Sequence, residues 1–355
     1  MLIISLLELS NGLQIDVTMP PSFRPRYTFD SVIGARQAKT SMSGGYYTCF
    51  LSNLTAENKN FLMMIDTGST DTIFPSSTVN NYQGPSINPV IPPGSSLKSS
   101  TYGDGSWWRG YIVRTNVGLA GKNVNALAPI AVMVNQSTSP VFASGRPANG
   151  LMGLGFSALS SASSTPFSVM DAWFDQKVIP KNEIAFHGCP YSRESQSWID
   201  FGNETPYVGC GNQSVTVNMP TKTYYNLDLQ RILVGGNSLP FPTTFQSGSG
   251  SSRKYSILDS CTSLILLPLS TVNAFRTALR ESGAFSQTFQ SNLYFDQWID
   301  GEILFSNLHL HIDYSLLPNI TFEIATGRND YNSTQLVLGP RQYIQIDTSG
   351  FCITH

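Results

Sequence analysis

Two segments of this chain repeat one plan. "MMIDTGSTDTIFP" occupies 63–75 and "SILDSCTSLILLP" occupies 256–268. In each, apolar residues deliver an aspartate, hydroxyl residues follow one and three positions later, and a proline closes nine positions on. Asp66 and Asp259 stand 193 residues apart, about one lobe of a duplicated chain. A two-fold arrangement of such lobes brings one carboxylate from each face to face. Few folds satisfy that demand.

The pairing has a chemical use. Two carboxylates about 3 Å apart cannot both ionise cheaply, so they share a proton. The ionised member can take a proton from water, and the protonated member can polarise a carbonyl oxygen. Thr67, Ser69, Ser260 and Thr262 can hydrogen-bond onto the carboxylates and hold them coplanar. Gly68 permits a sharp turn whose N–H points at the acid. Alone, either aspartate reads more simply as a strand end with an Asx turn. The repeat favours a site.

Bulk properties agree with a duplicated β protein. A chain of 355 residues suits two lobes. With 41% apolar residues, 12% charged, 29 Gly and 21 Pro, it reads as turn-rich and all-β with a few short helices. A net charge of -2 gives no reason to expect nucleic acid as a partner. No apolar run is long enough to span a bilayer, so no membrane segment is expected within the chain. "MLIISLLELSNG" is short and lacks a basic start, which makes it at best a poor signal peptide.

The five cysteines, Cys49, Cys189, Cys210, Cys261 and Cys352, lie far apart with no CxxC pair. That excludes a zinc pattern, and neither a metal nor another cofactor is expected. The odd count leaves at least one thiol free or paired outside the chain. Six Asn-x-Ser/Thr sequons occur, at Asn53, Asn135, Asn203, Asn212, Asn319 and Asn332. They weigh little, because a chain this rich in Asn, Ser and Thr forms as many by chance.

Along the chain, "GGYYTCFLSNLT" and "NFLMMID" read as strands around a polar loop. "PGSSLKSSTYGDGSWWRGYIVRTNV" reads as a long hairpin turning at Gly-Asp-Gly. "NALAPIAVMVN", "EIAFHG", "SWIDFG", "SVTVNM", "YNLDLQRILVGG", "NITFEI" and "QLVLGPRQYIQI" add strands. "SVMDAWFDQKVI" has helical spacing of Val169, Trp173 and Phe174, and "STVNAFRTALRES" reads as a helix capped by Ser270. The expected division is a pro-segment or lead-in over 1–44, an N-terminal lobe over 45–181 and a C-terminal lobe over 182–355.

These motifs together resemble the pepsin-like aspartic endopeptidases from about Tyr46 onward. "DTGS" at Asp66 and "ILDSCTSLILLP" match the two copies of the family signature. "YGDGSWWRG" resembles the flap that covers the cleft, which makes Tyr102 the flap tyrosine with Gly103, Asp104 and Gly105 at its tip. "NGLMGLGF" resembles the segment that supports the first active-site loop. The resemblance implies a two-lobed pepsin-like acid protease fold and hydrolysis of a peptide or protein substrate by Asp66 and Asp259. It also implies a monomer bearing disulfides, in the secretory pathway or an endosomal, lysosomal or vacuolar lumen.

Four departures from the family pattern set further expectations. Cys261 replaces the second-loop glycine, and overpacking there would cost roughly 1–3 kcal/mol. Ile73 stands where the family often has a tryptophan that hydrogen-bonds the flap tyrosine. The tail "GFCITH" aligns with an earlier family stretch, so the C-terminal lobe reads as incomplete and its active-site loop as lacking a supporting strand. The family's usual disulfide partners for Cys189 and Cys352 are not evident. Cys261 as a nucleophile is disfavoured, because His187, His309, His311 and His355 lie in no recognisable pairing context. It reads more simply as a small buried residue. Trp107 and Trp108 read as packing the hairpin or shaping a subsite. A pepsin-fold protein that binds a peptide or protein without cleaving it is the rival function.

Overall fold

A computed structural model describes residues 3–5, 13–18, 38–45, 49–138, 142, 147–160, 168–188, 197–202, 213–246, 254–262, 265–282, 313–327, 332–346 and 352–354. His309, His311, His355, Cys189 and Cys210, singled out above, lie outside the described residues.

The chain opens with β1 (Ile3–Ser5), β2 (Leu13–Thr18), β3 (Lys39–Ser41) and β4 (Ser43–Gly45). The first repeat then builds β5 (Cys49–Ala56) and β6 (Lys59–Asp66), paired antiparallel from Leu51↔Met64 to Ala56↔Lys59. Their turn residues, Glu57 and Asn58, both take positive φ (48° and 59°), which suits the twist of a two-residue hairpin. β7 (Ile73–Pro75), β8 (Lys98–Thr101), β9 (Trp107–Leu119), β10 (Asn125–Gln136) and β11 (Gly150–Gly153) complete an eight-stranded sheet, ordered β4-β5-β6-β11-β7-β10-β9-β8. β5 also pairs with β9 from Leu54↔Leu119 to Ala56↔Val117, so the sheet folds back on itself and encloses a core.

α1 (Val169–Asp175) packs on that core through Val169 and Trp173. Ser168 and Asp171 form a reciprocal capping box that fixes where it starts. The Trp173 indole N–H donates to the Val117 carbonyl at 2.9 Å, which lets a large ring be buried without an orphaned donor. β12 (Ile184–His187) and β13 (Trp198–Phe201) pair with each other and β13 with β3. Ile199 and Phe201 join the first core, which gathers residues between Ala38 and Phe201.

A second core gathers residues between Val217 and Tyr343. Around it lie β14 (Gln213–Asn218), parallel to β2, then β15 (Asn226–Leu227), β16 (Leu229–Val234), β17 (Asn237–Ser238) and the short α2 (Thr243–Gln246). β18 (Ser256–Asp259), α3 (Leu269–Glu281), β19 (Ile320–Ala325) and β20 (Ser333–Leu338) follow. β17, β16, β19 and β20 form one sheet in that order. The Ser270 cap expected from sequence is not made: α3 begins at Leu269 behind Pro268, whose ring already holds φ at -56°, and Ser270 falls inside the first turn. The strand read through "QLVLGPRQYIQI" is also broken, with Pro340–Tyr343 forming a helical turn. Among the described residues no helix is long and apolar enough to cross a membrane.

Two strand pairs mirror each other at the centre. β11 runs parallel to β6, with Met152 opposite Ile65 and Gly153 opposite Asp66. β1 runs parallel to β18, with Ile4 opposite Leu258 and Ser5 opposite Asp259. The second aspartate strand therefore has a parallel partner, drawn from the N-terminal segment, where a lone strand was expected.

Candidate active site

β6 from Phe61 onward and β18 are mostly apolar and largely buried, and each ends on an aspartate that turns into a hydroxyl-bearing loop. Asp66 and Asp259 are only 5% and 8% exposed, so each carboxylate depends on local donors. The Gly68 N–H donates to Asp66 Oδ1 at 2.8 Å, and the Ser69 hydroxyl donates to Asp66 Oδ2. The Cys261 N–H donates to Asp259 Oδ1 at 2.9 Å, and the Thr262 hydroxyl to Asp259 Oδ2 at 2.7 Å. The two loops thus make the same bonds at the same offsets.

The loops also lock each other. The Thr67 N–H donates to Ser260 Oγ at 3.0 Å, and the Ser260 N–H donates to Thr67 Oγ1 at 2.9 Å. Each hydroxyl then donates across the axis, Thr67 to the Leu258 carbonyl at 3.0 Å and Ser260 to the Ile65 carbonyl at 2.7 Å. Both side chains are buried, so the four bonds form in a medium where each is strong and where losing one would orphan its partner.

Gly68 is required by this approach. A Cβ there would lie 2.4 Å from Asp259 Oδ2, inside any tolerable contact. Asp66 is pushed up to about 7, first by burial and then by the charge of Asp259, against the pull of Ser69 and the Gly68 N–H. Asp66 and Asp259 are close enough to hydrogen-bond to each other, the arrangement in which two carboxyls hold one proton between them. The first loop is further braced by β11: the Leu154 N–H donates to the Asp66 carbonyl and the Gly155 N–H to the Ser69 carbonyl, both at 2.7 Å. Gly153 makes room, since a Cβ there would meet the Thr70 backbone at 2.3 Å.

Above this floor, β8 and β9 carry a turn over Tyr102–Ser106. The Tyr102 N–H donates to the Ser106 carbonyl at 2.8 Å, Asp104 accepts from the Ser106 N–H and hydroxyl, and Gly105 takes φ 82°. Gly103 is exposed at the tip. Burial, then the charges of Asp66 and Asp71, hold the Tyr102 hydroxyl well above the usual tyrosine range. Sequence reasoning had Trp108 packing the hairpin or shaping a subsite, and in the structure it sits beside Tyr102. It is fully buried in one cluster with Ile73, and Tyr102 packs against that cluster. The Trp108 indole N–H has no partner within normal hydrogen-bond geometry, while its proximity pulls the Tyr102 pKa down against burial.

Cys261 is the main correction. It is neither a free small residue nor an overpacked one: its sulfur is bonded to Cys49, with the Cα atoms 4.7 Å apart and 212 residues between them in sequence. Nothing in the spacing marks Cys49 as its mate; the odd residue in the second loop was the available signal. Among the described residues no cluster of acidic, His or Cys side chains could hold a metal ion.

The chain belongs to the eukaryotic aspartyl protease family, whose model matches residues 53–354. It is 25% identical over 273 residues to major aspartyl peptidase 1 of Cryptococcus neoformans var. grubii, a match covering 73% of this chain and 54% of that protein. It is 30% identical over 186 residues to aspartic proteinase nepenthesin-2 of Nepenthes gracilis, covering 51% of this chain and 37% of that one. It is 29% identical over 225 residues to podosporapepsin of Podospora anserina, covering 61% and 49%. The chain spans about half the length of the curated relatives it matches, or less.

Proposed function

We propose that the chain is an aspartic endopeptidase that hydrolyses peptide bonds with water activated between Asp66 and Asp259. The observation that carries this is the matched set of donors on two interlocked carboxylates. The pair keeps one proton up to about pH 7. The carboxylate without it removes a proton from water as the oxygen attacks the carbonyl carbon. The carboxyl bearing it donates to the carbonyl oxygen, giving a neutral gem-diol. The carboxyl that took the water proton then gives it to the amide nitrogen, a gem-diol hydroxyl returns its proton to the other carboxylate as the carbonyl reforms and the C–N bond breaks, and the pair is left as it began. Tyr102 closes over the bound peptide and excludes water. Thr67, Gly68, Ser69, Ser260 and Thr262 fix the carboxylates and need not touch substrate.

The rival, a protein that binds a peptide or protein without cleaving it, rested on the short C-terminal lobe and on Cys261 as damage to the second loop, and the second of these grounds weakens. The Cys261 N–H still reaches Asp259, and the sulfur is spent on Cys49, which supports the catalytic reading. The disulfide also supports an oxidising, secretory-pathway setting. The protein should cleave a peptide library between about pH 4 and pH 7, and Asp66→Asn should lower kcat/KM by roughly a thousandfold or more. Cleavage that survives Asp66→Asn, or no cleavage by folded protein, overturns the proposal.

A further inference from the structure

We propose that Cys49 is a positioning residue for Asp259, acting through its disulfide to Cys261, so that activity depends on the redox state of that bond. The inference rests on the endopeptidase reading for its kinetic readout only. The second loop keeps a hydroxyl residue wherever the first has one and departs in kind at one place, where Cys261 stands opposite Gly68. Gly68 is pinned by contact, with no space for a Cβ beside Asp259. Cys261 is pinned by a covalent bond to β5, the strand paired with the one that carries Asp66. Both residues do the same work, presenting an N–H to an aspartate Oδ1 at 2.8 and 2.9 Å.

A second, independent observation comes from the other end of the bond. Cys49 has φ 58°, in the left-handed region that a residue with a Cβ seldom adopts. Such an outlier persists where surrounding structure holds it, and it points to a role. Here the tether to Cys261 and the pairing of Cys49 with Gly45 hold it. Both cysteines are half-buried, so a small dithiol can reach the sulfurs.

Reduction is balanced. A dithiol attacks one sulfur, the S–S bond breaks through a mixed disulfide, and two electrons leave the dithiol as it closes to its own disulfide. Cys49 and Cys261 each gain a proton. Cys49 can then relax from its left-handed conformation, and the Cys261 N–H is no longer held on Asp259. That N–H is one of the two donors that fix the Asp259 carboxylate, so its loss lets the second carboxylate turn out of line with the first. The chemical step then slows while peptide binding is kept, a fall in kcat at little-changed KM that loss of a purely structural staple would not produce.

The test compares wild type, Cys49→Ser and the double variant Cys49→Ser/Cys261→Gly, each with and without dithiothreitol, with alkylation and mass measurement to report the bond. Reduced wild type should lose roughly ten- to a hundredfold in kcat at little-changed KM, and recover on reoxidation. Cys49→Ser should show the same loss without reductant, and should not respond to it. The double variant, with a glycine that needs no tether, should regain activity over Cys49→Ser. A kcat equal to that of oxidised wild type in both reduced wild type and Cys49→Ser overturns the proposal, even if both melt at lower temperature. If oxidised wild type cleaves nothing, the endopeptidase reading falls separately. The tether is then read from the amide NMR signal of Cys261, which must move on reduction for the inference to stand.

Discussion

At the scale of the residue, the site is governed by who donates to whom. Asp66 and Asp259 each accept one backbone N–H and one hydroxyl, and no cation is needed to hold them. Trp108 presents the sharpest residue-level prediction. Its buried indole N–H is unsatisfied and lies close to Tyr102, so a small turn of the tyrosine side chain on substrate binding would complete a bond to its hydroxyl. Trp108→Phe removes that N–H and keeps an aromatic ring. Stability should change by less than about 1 kcal/mol, because an orphaned donor is lost rather than a formed bond. The kcat/KM for peptides should fall by about tenfold, for want of the closed-state bond. A large drop in melting temperature with unchanged kcat/KM would contradict this. Ile73 shows why the signal was hidden: the tryptophan was expected at that position, but the indole enters the same cluster from β9 instead.

At the scale of the element, the two aspartate strands share one requirement. A strand ending on a buried acid must have its backbone paired on both sides. β6 lies between β5 and β11, and β18 lies between β1 and β15. The strand that flanks β18 is three residues long and comes from far away in sequence, so its ladder is a sensitive point. Ile4→Pro removes one N–H from that ladder and restricts the backbone. It should lower the melting temperature and reduce cleavage. Removing residues 1–18 should do at least as much, and a truncated chain that melts like wild type would show that β1 does not brace the second loop. Glu57–Asn58 and the Tyr102–Ser106 turn were legible in sequence because turn chemistry is local. The β1–β18 pairing was not, because a three-residue apolar segment carries no signal of its partner.

At the scale of the whole molecule, the interface between the two cores is where proton binding meets stability. Asp66 has a pKa of about 7 in the fold against an ordinary 3.8. A carboxyl raised in this way stabilises the folded state most when it is protonated. That contribution is full below about pH 4 and is lost as pH rises through about 7. Thermal melts of wild type should therefore fall in temperature from about pH 4 to about pH 8 more steeply than those of Asp66→Asn. Equal slopes would show that Asp66 is not the group responsible. Cleavage should disappear over the same upper range, as the shared proton leaves.

The sequence by itself determined the duplicated plan, the two acids, the flanking hydroxyls and the hairpin at Tyr102. Each is a local pattern, written in residues that are neighbours along the chain. Only the tertiary structure decided what Cys261 is, what pairs with β18 and what lies close to Tyr102. Cys49 reaches Cys261 across 212 residues, and β1 reaches β18 from far earlier in the sequence. These contacts form because the two lobes close around one axis, which places distant backbone within bonding distance. No periodicity records such a meeting, since either partner would read the same in a chain that never brought them together.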